Sequence, residues 1–181
     1  MRCETTSVSA SRTEGFIAIK ISPDGHCLYA AVADQLAVLG ILSPALANFK
    51  TTRLAAADYM YTHPDDFIPF LPSIDGEDGA DATDSTGLMT PEGFKTYCLA
   101  VRDTGVWGGE PEITALSRAY KVPIHVIQSG QPPVVKHSPP PGAEPSPGTP
   151  IVFISYHRRM YGLGEVSVVS SRLSLISTFY Y

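Results

Sequence analysis

The sequence predicts a mixed α/β domain in which helices pack on a small sheet. Three observations predict it. Runs rich in branched residues, at 16–21, 123–128 and 151–157, bracket the middle of the chain. Between the first and second of these runs, apolar residues recur at helical spacing. The composition, 44% hydrophobic and 17% charged over 181 residues, fits one domain able to bury a core without disulfides or metal.

Phe16 to Ile21 (FIAIKI) alternates and reads as a short strand. Ser22-Pro23-Asp24-Gly25 is a turn signal. From Cys27 to Leu39 the apolar positions Leu28, Ala31, Val32, Leu36 and Leu39 form one buried helical stripe, which Gly40 ends. A second helix is expected from Pro44 to Thr62, where His63-Pro64 breaks it. Ser73 to Gly87 is acidic and apolar-poor, a surface loop without the Asp/Asn spacing or terminal Glu of a calcium site. Thr90-Pro91 starts a helix, Thr as N-cap and Pro at the first position, that runs to Val101. Trp107-Gly108-Gly109 is expected to turn tightly before a helix from Glu110 to Tyr120. Pro123 to Gln128 is a strand, and the Pro- and Gly-crowded stretch Gln131 to Pro150 an extended loop. Ile151 to His157 is a strong strand, followed by a turn at Tyr161 to Gly164. The run of Val, Ser, Leu and Ile after Glu165 has strand propensity, and is read either as a further strand or as disorder.

Composition also excludes. A net charge of -5 argues against a general nucleic-acid binder, which carries a basic face. No window reaches the roughly 18 apolar residues of a membrane span, and the polar segment Met1 to Glu14 lacks the apolar core of a secretory signal. Three cysteines without paired spacing indicate neither a disulfide framework nor a zinc site, so no metal or cofactor is expected. The expected compartment is reducing, cytosol or nucleus. There a lone cysteine in a suggestive setting is a nucleophile candidate.

Cys27 has that setting. It opens a helix directly after Asp24-Gly25-His26. Unpaired N–H groups at a helix start favour a thiolate and can stabilise an oxyanion. Gly25 would let a substrate carbonyl approach the backbone, and Asp24 would cap the helix. Equally, Cys27 could be a buried cysteine packed as a small hydrophobe. The residues alone leave both readings open.

Ser22 to Leu36 (SPDGHCLYAAVADQL) resembles the nucleophile motif of the ovarian-tumour (OTU) family of cysteine deubiquitinases, Asp-Gly-x-Cys followed by an aromatic and a helix. The resemblance continues through Asp58 to Leu71 (DYMYTHPDDFIPFL), Thr90 to Cys98 (TPEGFKTYC), Trp107 to Gln128 (WGGEPEITALSRAYKVPIHVIQ) and Ile151 to Glu165 (IVFISYHRRMYGLGE). It is similar to the branch in which an OTU domain follows a coiled coil. The resemblance implies the OTU fold, a small central sheet packed between helices, over residues 15–165, with a disordered segment 1–14 before it and a non-family tail 166–181 after it. It implies a monomer that acts on ubiquitin or polyubiquitin chains without a cofactor. Cys27 would attack the carbonyl of the ubiquitin C-terminal glycine. Asp24, Gly25 and His26 would shape the oxyanion loop. Trp107 and Gly108 would line the site, with core packing as the alternative for Trp107.

The family's general base is a histidine just after the Gly-Leu-Gly-Glu turn, within a His-Tyr-Asn type of sequence. Here Gly162-Leu163-Gly164-Glu165 is followed by Val166-Ser167-Val168. Val166 thus stands at the base position and Val168 at that of its orienting partner, and valine cannot titrate. Among the other histidines, His157 at the end of a strand is the best substitute, although it does not match the family's base. The loss of resemblance at one residue predicts an intron read through in an incomplete gene model, with divergence into a pseudoenzyme as the rival. Three functions are therefore expected in descending order. They are a ubiquitin-directed cysteine protease impaired for lack of its base, an inactive ubiquitin-binding module, and an unrelated hydrolase using His157.

Overall fold

The computed structural model describes residues 18–19, 24–72, 89–128, 131–143, 146, 148–157 and 176–180. Among them the order is β1 (Ala18–Ile19), α1 (Cys27–Val38), α2 (Phe49–Thr62), α3 (Pro91–Asp103), α4 (Glu110–Tyr120), β2 (Ile124–Gln128), β3 (Val134–His137), β4 (Val152–His157) and β5 (Ile176–Tyr180). Single 3-10 turns at Pro64–Asp66 and Ile68–Phe70 follow α2. The expected strand–helices–strands order is the one found. The segments 1–14, Ser73 to Gly87 and Tyr161 to Gly164, and Val166, lie outside the described residues.

The strands form one sheet in the order β1-β5-β4-β2-β3. All neighbours run parallel except the edge strand β3, which pairs antiparallel with β2 through Ile124↔His137 and Ile127↔Val134. Parallel neighbours need crossover connections, and helices supply that length. β5 comes from the segment after Glu165 and takes a central place, with β4 on one side and β1 on the other. Of the two outcomes expected for that segment, this part of it is a strand.

Helix α1 packs on β4 and β5, and α4 on β2 and β3. Helix α2 lies among α1, α3 and α4 and ties the helical layer together. This placement explains a departure from the sequence pattern. A single buried stripe was expected for α1, yet Cys27, Leu28, Tyr29, Ala31, Val32, Ala33, Gln35 and Leu36 are all buried. A helix with sheet on one side and another helix on the other is apolar nearly all round. From the sheet, Ile124, Val126, Val152 and Ile154 complete the same core.

Two boundaries also differ from expectation. Helix α2 begins at Phe49, not Pro44, because the Asn48 side chain accepts from the N–H groups of Lys50 and Thr51, each at 3.1 Å. Asparagine is among the strongest N-caps, so it fixes the start. The stretch 131–150 is not wholly loop, since Val134–His137 forms β3 within it. Proline is excluded only from the hydrogen-bonded run itself, and those four residues contain none.

Candidate active site

The site is built around the start of α1. The Asp24 carboxylate accepts the His26 N–H at 2.8 Å, and the Asp24 carbonyl accepts the Cys27 N–H at 3.1 Å. This is an Asx-type turn. It corrects the expectation that Asp24 caps α1: His26 holds the N-cap position without a side-chain cap, and the Asp24 carboxylate stops one residue short. The His26 ring stacks on Phe49 of α2, centroids 4.2 Å apart.

Gly25 is small for a reason other than the expected access for a substrate. A Cβ placed on it would lie 1.6 Å from the Gly105 carbonyl oxygen. The chain after α3 therefore runs directly against the turn before Cys27. Further along, a Cβ on Gly108 would meet Leu28 Cδ2 at 2.6 Å and the Tyr29 hydroxyl at 2.8 Å. The segment 105–109 forms no regular element and no tight turn, contrary to the turn expected at Trp107-Gly108-Gly109; Gly109 within it is extended. Gly108 thus lies beside the residues following Cys27. Trp107 is 41% exposed, which removes the core-packing alternative for it.

Beneath this turn sits a cation that the sequence reading missed. Arg53 of α2 is only 2% exposed. Its Nη1 donates to the Val101 carbonyl at 2.6 Å. Its Nη2 donates to the carbonyls of Gly25 and, at 2.7 Å, Val106. The guanidinium also lies over the Tyr29 ring, 4.1 Å from its centroid. Burial pulls the Arg53 pKa down, and the nearby Tyr29, Glu112, Asp24 and Cys27 oppose that shift. Arginine suits such a place because its planar fork donates in several fixed directions and keeps its charge.

Glu112 of α4, 1% exposed, is a buried acid in the same region. Its carboxylate accepts the Gly109 N–H at 2.6 Å and the Tyr97 hydroxyl. Burial raises its pKa, while those hydrogen bonds and Arg53 work against the rise. Burial and the Glu112 charge push the hydroxyls of Tyr29 and Tyr97 far above the ordinary phenol range. Burial likewise pushes the Cys98 thiol on α3 up to about 11, so it is no competing nucleophile at neutral pH.

Cys27 itself is 1% exposed and belongs to the core cluster. Cys27 is thus almost wholly covered in this conformation. The histidine rings described are engaged elsewhere: His26 on Phe49, His63 on Tyr59, His125 against Phe153, and His137 with Glu110 at 3.2 Å. His157 ends β4 opposite Tyr180 of β5. Among the described residues no group of His, Cys, Asp or Glu could hold a metal ion, and no helix is long and apolar enough to cross a membrane.

Residues 22–165 match the family model described as OTU-like cysteine protease. Among curated relatives, mouse Deubiquitinase OTUD6B is 38% identical over 147 residues, which is 81% of this chain and 43% of that protein. The Xenopus laevis protein of the same name is 40% identical over 147 residues, with the same coverage of 81% and 43%. OTU domain-containing protein 2 of Saccharomyces cerevisiae is 31% identical over 147 residues, 80% of this chain and 42% of that one. The chain thus spans less than half the length of these relatives. Among solved structures, the OTU domain of OTUD1 aligns with a TM-score of 0.51 at 26% identity, covering 78% of this chain and 79% of that one. An OTU deubiquitinase from Wolbachia pipientis, bound to ubiquitin, shares the fold at a TM-score of 0.53 and 16% identity, covering 90% and 99%.

Proposed function

Because the chain belongs to the OTU-like cysteine protease family, we propose that it is a ubiquitin-directed cysteine protease scaffold, acting as a monomer in the cytosol or nucleus. Cys27 is its nucleophile. The observation that carries this reading is the position of Cys27, first residue of α1, immediately after the Asp24 turn and alongside the 105–109 segment.

In the proposed reaction the Cys27 sulfur adds to the carbonyl carbon of the ubiquitin C-terminal glycine, and the thiol proton leaves to a base. The tetrahedral oxyanion would be held by backbone N–H groups around Cys27; in this conformation those of His26 and Cys27 are donated to Asp24 and would have to turn to it. The carbon–nitrogen bond then breaks, the leaving lysine amine takes a proton, and a thioester remains. Water hydrolyses it, which frees ubiquitin and restores the thiol. Both proton transfers call for a base, and Val166 stands where the family's histidine would be. We therefore expect slow turnover. The relatives named Deubiquitinase and the OTU structure bound to ubiquitin support ubiquitin as the partner.

A second reading, an inactive ubiquitin-binding module, is favoured by two observations. Cys27 is 1% exposed, and residue 166 is valine. A ubiquitin probe with a thiol-reactive C-terminus separates the two. Covalent labelling that disappears in Cys27→Ala supports the protease scaffold, and cleavage of ubiquitin chains alongside it would reveal a working base. Ubiquitin binding without labelling supports the second reading. Neither binding nor labelling would sink both.

A further inference from the structure

We propose that Arg53 is a positioning residue that holds the carbonyl of the peptide between Gly25 and His26 turned into the interior, away from the side on which an oxyanion would form; this rests on the protease reading above. The argument begins with a planar trans peptide, whose C=O and N–H point in opposite directions. Here both ends are held. Arg53 Nη2 takes the Gly25 carbonyl into the interior, and the Asp24 carboxylate takes the His26 N–H at 2.8 Å on the other side. A flip of this peptide would break both contacts at once. It would also turn the Gly25 carbonyl oxygen outwards, towards the Asp24 carboxylate, adding a second oxygen on the side where a developing negative charge would have to be met by N–H groups. Glycine at position 25 makes such a flip cheap, since no side chain opposes it. The clamp is therefore placed at the weakest joint of the loop.

The same guanidinium holds the Val106 carbonyl at 2.7 Å and the Val101 carbonyl at 2.6 Å. It thereby locks the 105–109 segment, which carries Trp107 and Gly108, to the turn that carries Cys27. One buried fork sets the distance between the turn that carries Cys27 and the 105–109 segment. Arg53 touches neither substrate nor thiol in this scheme; it acts through the carbonyls. Its position on α2, remote in sequence from Cys27, makes it a contribution that the nucleophile motif does not contain.

The test compares Arg53→Lys and Arg53→Met with the unchanged chain. Lysine keeps the charge but loses the planar fork, and methionine keeps the length but loses every donor. Amide hydrogen exchange at His26 reads the clamp directly, whatever the activity. It should rise about tenfold or more in both variants, while the α1 interior stays protected. Affinity for ubiquitin C-terminal aldehyde, whose hemithioacetal oxygen needs the oxyanion site, should fall about tenfold in Arg53→Lys and further in Arg53→Met. Alkylation of Cys27 by a small haloacetamide, which forms no oxyanion, should change less than about twofold in Arg53→Lys. Should Arg53→Met fail to fold, Arg53→Lys decides alone. Unchanged exchange at His26 overturns the clamp. Raised exchange with unchanged aldehyde affinity overturns its role in the reaction, as do equal losses of aldehyde affinity and alkylation. If the unchanged chain does not bind the aldehyde at all, the ubiquitin reading falls, and exchange at His26 alone decides the clamp.

Discussion

The helical half of the site and the strand half are built in opposite ways. Around Cys27, residues from α1, α2, α3, α4 and the 105–109 segment converge on one buried polar network, Arg53, Tyr29, Glu112 and Tyr97, in which carbonyls and amides are tied at short range. The strand half rests on β4 and β5, joined across the stretch that contains Val166. The family match covers the first half entirely and ends at Glu165, before β5 begins. The lesson is that the two halves are separate structural units: the family match spans the whole of the first and stops short of the last strand of the second.

Removing residues 166–181 should have the largest effect. β5 is paired on both sides, so its loss strips β4 of a parallel partner, leaves β1 with none, and uncovers the face of α1 that lies on it. The expected cost exceeds about 5 kcal/mol, a large part of a domain's whole stability. Thermal unfolding should lose its cooperativity or the chain should become insoluble. A truncated chain that unfolds cooperatively within a few degrees of the full one would show that the strand half contributes little, and would reverse the comparison.

The helical half can be broken from within. Gly25→Ala pushes a methyl into the Gly105 carbonyl, where backbone must move. Overpacking of that kind costs about 3 kcal/mol or more, or about 10 °C in Tm. Glu112→Ala strands the Gly109 N–H and the Tyr97 hydroxyl and removes one of the negative charges near Arg53. The expected loss is about 3 kcal/mol in denaturant unfolding. Tyr97→Phe removes only one donor to the carboxylate and should cost about 1–2 kcal/mol. Were Glu112→Ala no worse than Tyr97→Phe, the buried network would not be the unit described.

What the sequence disclosed follows the same division. Elements with a local signal were legible: α3 from Thr90-Pro91, with the Thr90 hydroxyl accepting the Gly93 N–H at 3.0 Å, and α4 as the helix expected from Glu110 to Tyr120. The Asp24-Gly25-His26-Cys27 turn was legible as a motif, but the reason for Gly25 was not. Its neighbour Gly105 is eighty positions away, and no local pattern records that approach. Arg53 was missed because an arginine on a helix reads as a solvated face. Only the burial of its neighbours Thr52, Ala56 and Ala57 on the same helix shows that the stripe passes through it. Glu112 left a fainter trace, an acid three residues after the glycine that starts α4. That is half a capping box, since glycine has no side chain to answer it. β3 was hidden by the prolines on either side of a four-residue strand.

The smallest effect expected lies at the far edge of the sheet and tests whether the buried network beneath Cys27 is the source of acid sensitivity. Burial lowers the His137 pKa below its ordinary 6.5, with Glu110 opposing, and burial with Lys136 and His137 lowers that of His125. Both histidines favour the neutral form when folded. Their contribution is therefore fully present above about 6.5 and is lost as pH falls through the lower folded values, because the unfolded chain takes up protons first. Glu112 has the opposite sign. Its pKa is raised, so its contribution is fully present below the ordinary 4.5 and weakens as pH rises through the folded value. Between pH 7.5 and 5.5 the histidines should dominate, since they act on stability in that window. Denaturant unfolding should give a chain less stable at 5.5, with the loss reduced in His125→Asn/His137→Asn and unchanged in Tyr97→Phe. An acid loss that persists in full in the double histidine variant would move the sensitivity away from the sheet edge.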